Sequence, residues 1–391
     1  MGFLNEAKTM LRQNIREYGM YIALLFVMVV FTFTTDGLFI SSRNISNLIN
    51  QTGYIAVLAV GMTLVIIVRD IDLSVGYLSG FLGALAAIML KSTGIPVYIV
   101  IPIILAVGIV IGLIYGFLVG KVMIPAFVVT LAAWMFFRGA LLKVTQGTGT
   151  IIISDKFYNA IGNGFIPDIP NKLGIHLVTL IIGAIGICLY IWSQFGSRRN
   201  RIKYNFEVSS NTVFAVKLVF ISAIIAYITW VIAGANGLSW TVVIVILVVA
   251  IYYFVTNKTP LGRHIYAVGG NPEAAALSGI SVYKTKLWIF ASMEMMAALS
   301  GILFSSRLQS ATTVAGNGFE LDAIAGAFVG GTSPYGGIGK VTGSIVGAIF
   351  MMSLTNGMNL MGIDISYQYM VRGFILLAAV IFDVTTRNRS K

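Results

Sequence analysis

Apolar stretches of near membrane-crossing length recur along the whole chain, and they decide what it can fold into. They lie at 20–35, 54–68, 75–90, 97–119, 123–142, 175–192, 218–233, 238–256, 282–304, 321–333, 341–356 and 367–384. A helix needs about 20 residues to cross the hydrocarbon core of a bilayer. In lipid, only helices and closed barrels satisfy every backbone polar group. Several runs are shorter than a crossing and some are broken by glycine, a pattern of discontinuous helices beside a translocation path. The reading is an all-α polytopic membrane protein of 10 to 12 helical segments, the shortest being re-entrant half-helices. The first run ends in a poor signal-cleavage sequence, so it reads as a retained span.

Composition closes off the other classes. Only 10% of the 391 residues are charged and 58% are apolar, and the mean hydropathy is +0.91. A soluble domain carries about a quarter charged residues and could not cover its surface with so few. A soluble enzyme, a disordered chain and a fibrous repeat are excluded. The 42 glycines suit helices that approach closely. Cys188 is the one cysteine, and His176 and His264 lie far apart. No internal disulfide or cysteine-based metal cluster is expected.

The net charge of +12 points to membrane topology rather than to nucleic acid. Fourteen of the 26 Lys and Arg residues fall in four clusters. These are Lys8, Arg12 and Arg16; Arg198, Arg199, Arg201 and Lys203; Lys258, Arg263, Lys284 and Lys286; and Arg387, Arg389 and Lys391. Positive charge gathers in cytoplasmic loops. Both termini are therefore expected in the cytoplasm, with 143–174 and 305–320 outside. One transmembrane domain should cover 1–391, with 1–19 as a cytoplasmic N-terminal segment. A faint internal echo links Val75-Gly76-Tyr77-Leu78-Ser79-Gly80 to Ile338-Gly339-Lys340-Val341-Thr342-Gly343, as in transporters built from repeats.

Catalytic signatures are missing. Gly336-Gly337-Ile338-Gly339-Lys340-Val341 lacks both the spacing and the Ser or Thr of a Walker A loop, and no H-E-x-x-H, G-x-S-x-G or metal spacing occurs. The chain is not expected to hydrolyse ATP, to be an enzyme, or to need a cofactor or metal. The Gly339, Gly343 and Gly347 spacing suits helix packing instead.

The most informative loop is 257–281. Asn271 can cap a helix starting at Pro272, with Glu273 in its first turn and Gly279 past its end. A helix of two turns is unstable alone in water, so it needs a docking surface such as a partner protein under the membrane. Here the chain closely resembles the permease subunits of bacterial ABC importers for monosaccharides, the ribose, galactose and xylose class. The resemblance rests on the loop from Thr259 to Ile280, in particular Gly269-Gly270-Asn271-Pro272-Glu273-Ala274-Ala275. It rests also on Gly61-Met62-Thr63 through Asp70-Ile71-Asp72-Leu73-Ser74, and on Ile124-Pro125-Ala126-Phe127-Val128-Val129-Thr130-Leu131 with Phe137-Arg138-Gly139. The last motif is Glu320-Leu321-Asp322-Ala323-Ile324-Ala325 with Gly330-Gly331-Thr332-Ser333. It spans about 20 to 385. Residues 196–256 look like the two-helix insertion of the longer xylose-type permeases. The resemblance implies a homodimer around a central pathway in the bacterial inner membrane, ABC ATPase subunits docked on 257–281, and a sugar-binding protein outside. Glu294 departs from the family's pattern, which has a neutral residue there.

Several residues are candidates for the pathway or its gate: Asp72, Phe127, Thr130, Glu320, Asp322, Asn356 and Asn359. Asp72 equally suits a helix N-cap at Val75. Acids, amides and aromatic rings match a hydroxyl-rich ligand with an apolar ring face, although Asn356 and Asn359 also suit interhelical bonds. Glu294 is an intramembrane acid, functional by default. The competing reading is a secondary transporter of a small polar solute driven by an ion gradient. It would need a network of buried ionisable groups.

Overall fold

The computed structural model describes residues 15–388 apart from 93, 148, 172, 173, 207 and 209. Lys8, Arg12, Arg389 and Lys391 lie outside the described residues. Among the described residues, ten helices are long and apolar enough to cross a membrane. The helices are α1 (Ile15–Thr34), α2 (Ser42–Ile67), α3 (Val75–Ser92), α4 (Val97–Gly120), α5 (Ala126–Val144), α6 (Lys156–Asn163), α7 (Leu177–Lys203), α8 (Asn211–Ala233) and α9 (Trp240–Lys258). They continue as α10 (Pro260–Gly270), α11 (Pro272–Leu277), α12 (Val282–Leu308), α13 (Phe319–Val329), α14 (Val341–Leu360) and α15 (Ile365–Asn388). The first helix begins at Ile15, so part of the expected polar segment 1–19 is already helical.

Two short strands, β1 (Thr150–Ile152) and β2 (Ser310–Thr312), pair antiparallel with Ile151 opposite Ala311. They fix 145–164 and 309–318 at one end of the bundle, which we call distal. The opposite, proximal end carries α10 and α11. There Asp383 near the end of α15 accepts from the Ser333 hydroxyl at 2.9 Å. The helix directions bring Arg198–Lys203, Lys258, Arg263 and Lys284 to this same end, so the basic loops share one face.

Helix ends follow local sequence. Ser41, Ser210, Ser239, Thr259, Asn271 and Ser281 each accept from a backbone N–H in the first turn of the helix that follows. These side chains satisfy donors that the helix itself leaves orphaned.

The core is built on α2, α12 and α14. Of the most apolar window of α2, 83% is buried, against 6% for α7 and for α15. Residues 196–256 begin inside α7, include α8 and end in α9. Small residues hold the core together. On α4, Gly108, Gly112, Gly116 and Gly120 form a stripe against Glu294, Phe290, Leu287 and Tyr283 of α12. A methyl group on Gly116 would lie 2.6 Å from the Leu287 Cα. Gly343 and Gly347 of α14 cross Gly330 and Gly326 at the other close contact. Gly339 meets the side chains of Ile67 and Thr332, so the expected three-glycine run serves two different contacts, both within the chain.

Two helices begin inside the bundle. After α2 ends at Ile67, residues 68–74 turn back in an extended stretch before α3. The eleven-residue α13 is too short to cross a membrane; it is entered through Gly318 at φ 78°, a left-handed conformation that favours glycine. The echo noted in the sequence is not positional. The helix begins at Val75 in the first string, but only at Val341, past Ile338, in the second.

Candidate translocation site

The first helix break is held from three sides. Arg69 adopts φ 67°, uncommon for a residue other than glycine. Its guanidinium explains the strain: Nε donates to the Gly269 carbonyl at 2.8 Å and another nitrogen donates to the Gly270 carbonyl. The end of α10 is thereby pinned to the end of α2. The Gly337 N–H adds a bond to the Ile67 carbonyl at 2.9 Å, and the Tyr266 hydroxyl one to the Gly339 carbonyl at 2.8 Å. Asp70 pairs with Lys286 of α12 at 2.7 Å. Asp72 does not cap the helix at Val75 as expected. Ser74 holds that position, its carbonyl accepting from the Leu78 N–H at 3.0 Å. Asp72 Oδ1 instead accepts from the Ser74 N–H at 2.8 Å and hydroxyl at 2.7 Å. Being a residue pair short of the helix, it orients the cap rather than forming it.

The second break gathers polar and aromatic groups at the N-terminus of α13, where the helix dipole favours an anion. Glu320 and Asp322 are both buried. Trp134 Nε1 donates to Glu320 Oε1 at 3.1 Å. Gly76 leaves the room for Glu320, since a Cβ there would overlap its carboxyl. The Tyr77 hydroxyl donates to Asn317 Oδ1 at 3.3 Å, and the Asn317 amide donates to the Tyr369 hydroxyl at 3.2 Å. Arg372 of α15 pairs with Asp322 at 3.2 Å, and Arg138 lies over the Tyr77 and Trp134 rings. Glu320 Oε2, Asp322 Oδ1 and Arg372 Nε have no hydrogen-bond partner. A small cavity opens here, lined by Gly318, Leu321, Asp322, Tyr369 and Arg372. Carboxylates, a guanidinium, an amide and ring faces together match a neutral polyhydroxylated ligand.

The expected candidates divide accordingly. Glu320 and Asp322 come together; Asp72 lies at the first break. Phe127 is exposed on the outer face of α5. Thr130 is fully buried and joins α5 to the extended stretch through the Ile71 carbonyl at 3.3 Å. Asn356 exchanges hydrogen bonds with Asn44 at 2.8 and 3.1 Å. Asn359 accepts from Gln368 at 2.8 Å. Sequence reasoning missed Tyr77, Arg138, Asn317, Tyr369 and Arg372. Arg372, inside the run 367–384, and Arg138, inside the run 123–142, are bases in apolar runs, a signal that could have found both. Asp364 sits exposed before α15. Hydrogen bonds from the Ser366 side chain and backbone hold its carboxyl below the ordinary range.

The segment 257–281 holds two helices, α10 and α11, where one was expected. Asn271 Oδ1 accepts from the Glu273 and Ala274 N–H groups at 3.0 and 3.1 Å. Ser278 closes α11, and Gly279 follows at φ 82°. Pro272 occupies the first helical position. Gly269 and Ala275 face inward; a Cβ on Gly269 would overlap the Ile67 carbonyl. Gly270, Glu273, Ala274 and Leu277 face out, and Leu277 is 91% exposed.

With this geometry described, the comparisons decide the family. The model of the branched-chain amino acid transport system / permease component family matches residues 44–380. The chain belongs to this family. It is 39% identical to the xylose transport system permease protein XylH of Escherichia coli over 96% of this chain and 94% of that protein. It is 38% identical to XylH of Haemophilus influenzae, over 96% and 98%. Identity to the ribose import permease protein RbsC of Haemophilus influenzae is 33% over 94% and 93%. No solved structure matches. The chain is thus a multi-pass membrane permease component, and its ten apolar helices agree with that.

Proposed function

We propose that this chain is the transmembrane subunit of a binding-protein-dependent ABC importer for a monosaccharide, xylose or a close relative. The family is named for branched-chain amino acids, but the relatives that cover nearly the whole chain are named for xylose and ribose. The site agrees with the sugar reading. An amino acid needs partners for an ammonium and a carboxylate at once, whereas the α13 cluster offers acids, amide and ring faces, with Arg372 paired to Asp322 and Arg138 lying over the Tyr77 and Trp134 rings.

The proximal end faces the cytoplasm on this reading, because the basic loops gather there. A separate ATPase docks on α11 through Leu277, Ala274 and Glu273, and a homodimer encloses the path. The observation that carries the reading is the exposed, capped α11 together with its attachment. Arg69 joins the end of α10 to the first helix break, and Ser281 leads directly into α12. A push on α11 is thereby delivered to the loop beneath α3. The sugar passes near the α13 cluster at the second break, and the external binding protein supplies most of the selectivity.

The test is reconstitution of the chain with its ATPase and binding protein in vesicles. Xylose accumulation that requires ATP and is insensitive to a protonophore is expected. Accumulation without ATP that collapses with a protonophore would establish the gradient-driven alternative instead.

A further inference from the structure

The α7–α8 hairpin is an apolar shaft with a basic end. Only 6% of the most apolar window of α7 and 11% of that of α8 are buried, so most of the hairpin's surface meets lipid. The two helices run antiparallel and keep level with each other. At the distal end the His176 N–H donates to the Ala233 carbonyl at 3.0 Å. At the proximal end the Arg198 guanidinium donates to the Asn211 side-chain oxygen at 2.6 Å and lies 4.5 Å from the centre of the Phe214 ring. Arg198 is as many residues from His176 as Asn211 is from Ala233, and Trp192 and Lys217 are level by the same measure. Beyond Asn211, α7 runs on alone. At 1.5 Å per residue its stretch 199–203 reaches about 7 Å farther, and it carries Arg199, Arg201 and Lys203, all exposed.

This register sets the basic groups against the border of the bilayer. A hydrocarbon core takes about 20 helical residues, so from Leu177 it ends near Gly196. Exposed Trp192 sits just inside that border, where an indole is at home. Arg199, Arg201 and Lys203 sit just outside it. Side chains on a helix lean toward its N-terminus. On α7 this leans the three basic groups back toward the membrane. On α8 it leans exposed Lys217 outward from within, its stem in the apolar layer and its head at the border. Four cations converge on one headgroup layer from its two sides.

The protein leaves this charge unbalanced. Arg198 is spent on joining the two helices. Arg199, Arg201 and Lys217 make no hydrogen bond or ion pair among the described residues, and Lys203 lies 5.8 Å from the centre of the Tyr204 ring. Between Asp168 and Glu273 the sequence has one acid, Glu207, which lies outside the described residues. At the same end Asp70 is paired with Lys286, and Asp383 accepts from Ser333. The C-terminal dipole of α7 offers about half a negative charge, too little for four cations.

We propose that the proximal end of the α7–α8 hairpin is a binding site for the headgroup of an anionic phospholipid of the phosphatidylglycerol class. Arg199 and Arg201 present forked donors that match phosphate oxygens, Lys203 and Lys217 add charge, and Trp192 packs against the acyl chains below. A zwitterionic headgroup brings an ammonium of its own, which this patch repels. The inference requires only that the chain spans a membrane; it rests neither on the sugar reading nor on which side the proximal end faces.

The experiment places the purified full chain in nanodiscs of phosphatidylcholine and phosphatidylglycerol in equal amounts. Spin-labelled forms of the two lipids are compared for the share that the protein immobilises. Phosphatidylglycerol is expected to be held severalfold more strongly, with the excess shrinking as salt rises. Arg199→Gln/Arg201→Gln should remove most of the excess. Arg263→Gln/Lys284→Gln takes the same charge from the same end of the molecule and should keep it. Should the first variant fail to insert, Lys217→Gln leaves the α7 overhang intact and should remove part of the excess. Equal loss from the two double variants would reduce the effect to general surface charge and overturn the proposal. An undiminished excess in either hairpin variant would do the same. A hairpin variant that keeps its lipid preference but loses oligomeric mass would assign the patch to a second copy of the chain instead.

Discussion

At the residue scale, the α13 cluster is organised by one buried pair. Removing one partner of such a pair leaves an uncompensated charge and costs about 3–5 kcal/mol, whereas replacing both with apolar residues can be neutral. Arg372→Met should therefore lower the thermal midpoint sharply, and the double variant Asp322→Leu/Arg372→Met should recover most of it. Failure of the double variant to recover would show that the pair is not what holds α15 to α13. Glu320→Gln should keep the Trp134 bond and the fold yet reduce xylose uptake, with ATPase activity of the assembled complex retained. Equal uptake by the two proteins would remove Glu320 from the path. The sequence made these acids visible because charge is rare in apolar runs. It hid Tyr77 and Asn317, because an aromatic or amide near a helix end is unremarkable until a partner from a distant element arrives. Tyr77 and Asn317 are 240 positions apart in the chain.

At the element scale, α11 was legible almost atom by atom. Asn271, Pro272 and Gly279 are local instructions, and each does what its chemistry dictates. The direction in which the helix faces was not legible, because that depends on Ile67 and Gly337, far off in sequence. Leu277→Glu should leave the chain folded but separate ATP hydrolysis from uptake, seen as ATPase activity without accumulation. Ala275→Arg should instead destabilise the chain, since Ala275 is buried, and expression in the membrane should fall. The same contrast separates α4 from its neighbours. In the sequence its glycines signal close helix packing without naming the partner, and the stripe becomes a contact surface when α12 lies on it. Gly116→Leu adds a side chain where the α12 backbone already sits, an overpacking that costs about 1–3 kcal/mol or more. Thermal unfolding of the variant checks it; an unchanged midpoint would mean that α12 does not rest there.

At the scale of the whole molecule, number and order of helices, the half-helix and the sharing of one face by the basic loops all follow from hydropathy and charge. The path itself does not. The path we propose uses two breaks, at 68–74 and at Gly318, that lie far apart in the chain. No window of sequence contains both. The β1–β2 ribbon and the pinning of α10 close the bundle at its two ends, on either side of a middle through which α12 runs. The glycine stripe gives that middle its character. Side chains that interlock act as teeth, and one helix moves past another only by lifting out of register. A face of four glycines has no teeth. Against α4, α12 rides on a smooth bearing, and rotation or axial slip there meets little friction from side chains. Positional memory must then come from elsewhere along α12, from detents such as the Lys286–Asp70 pair that hold it at one setting and release it to the next.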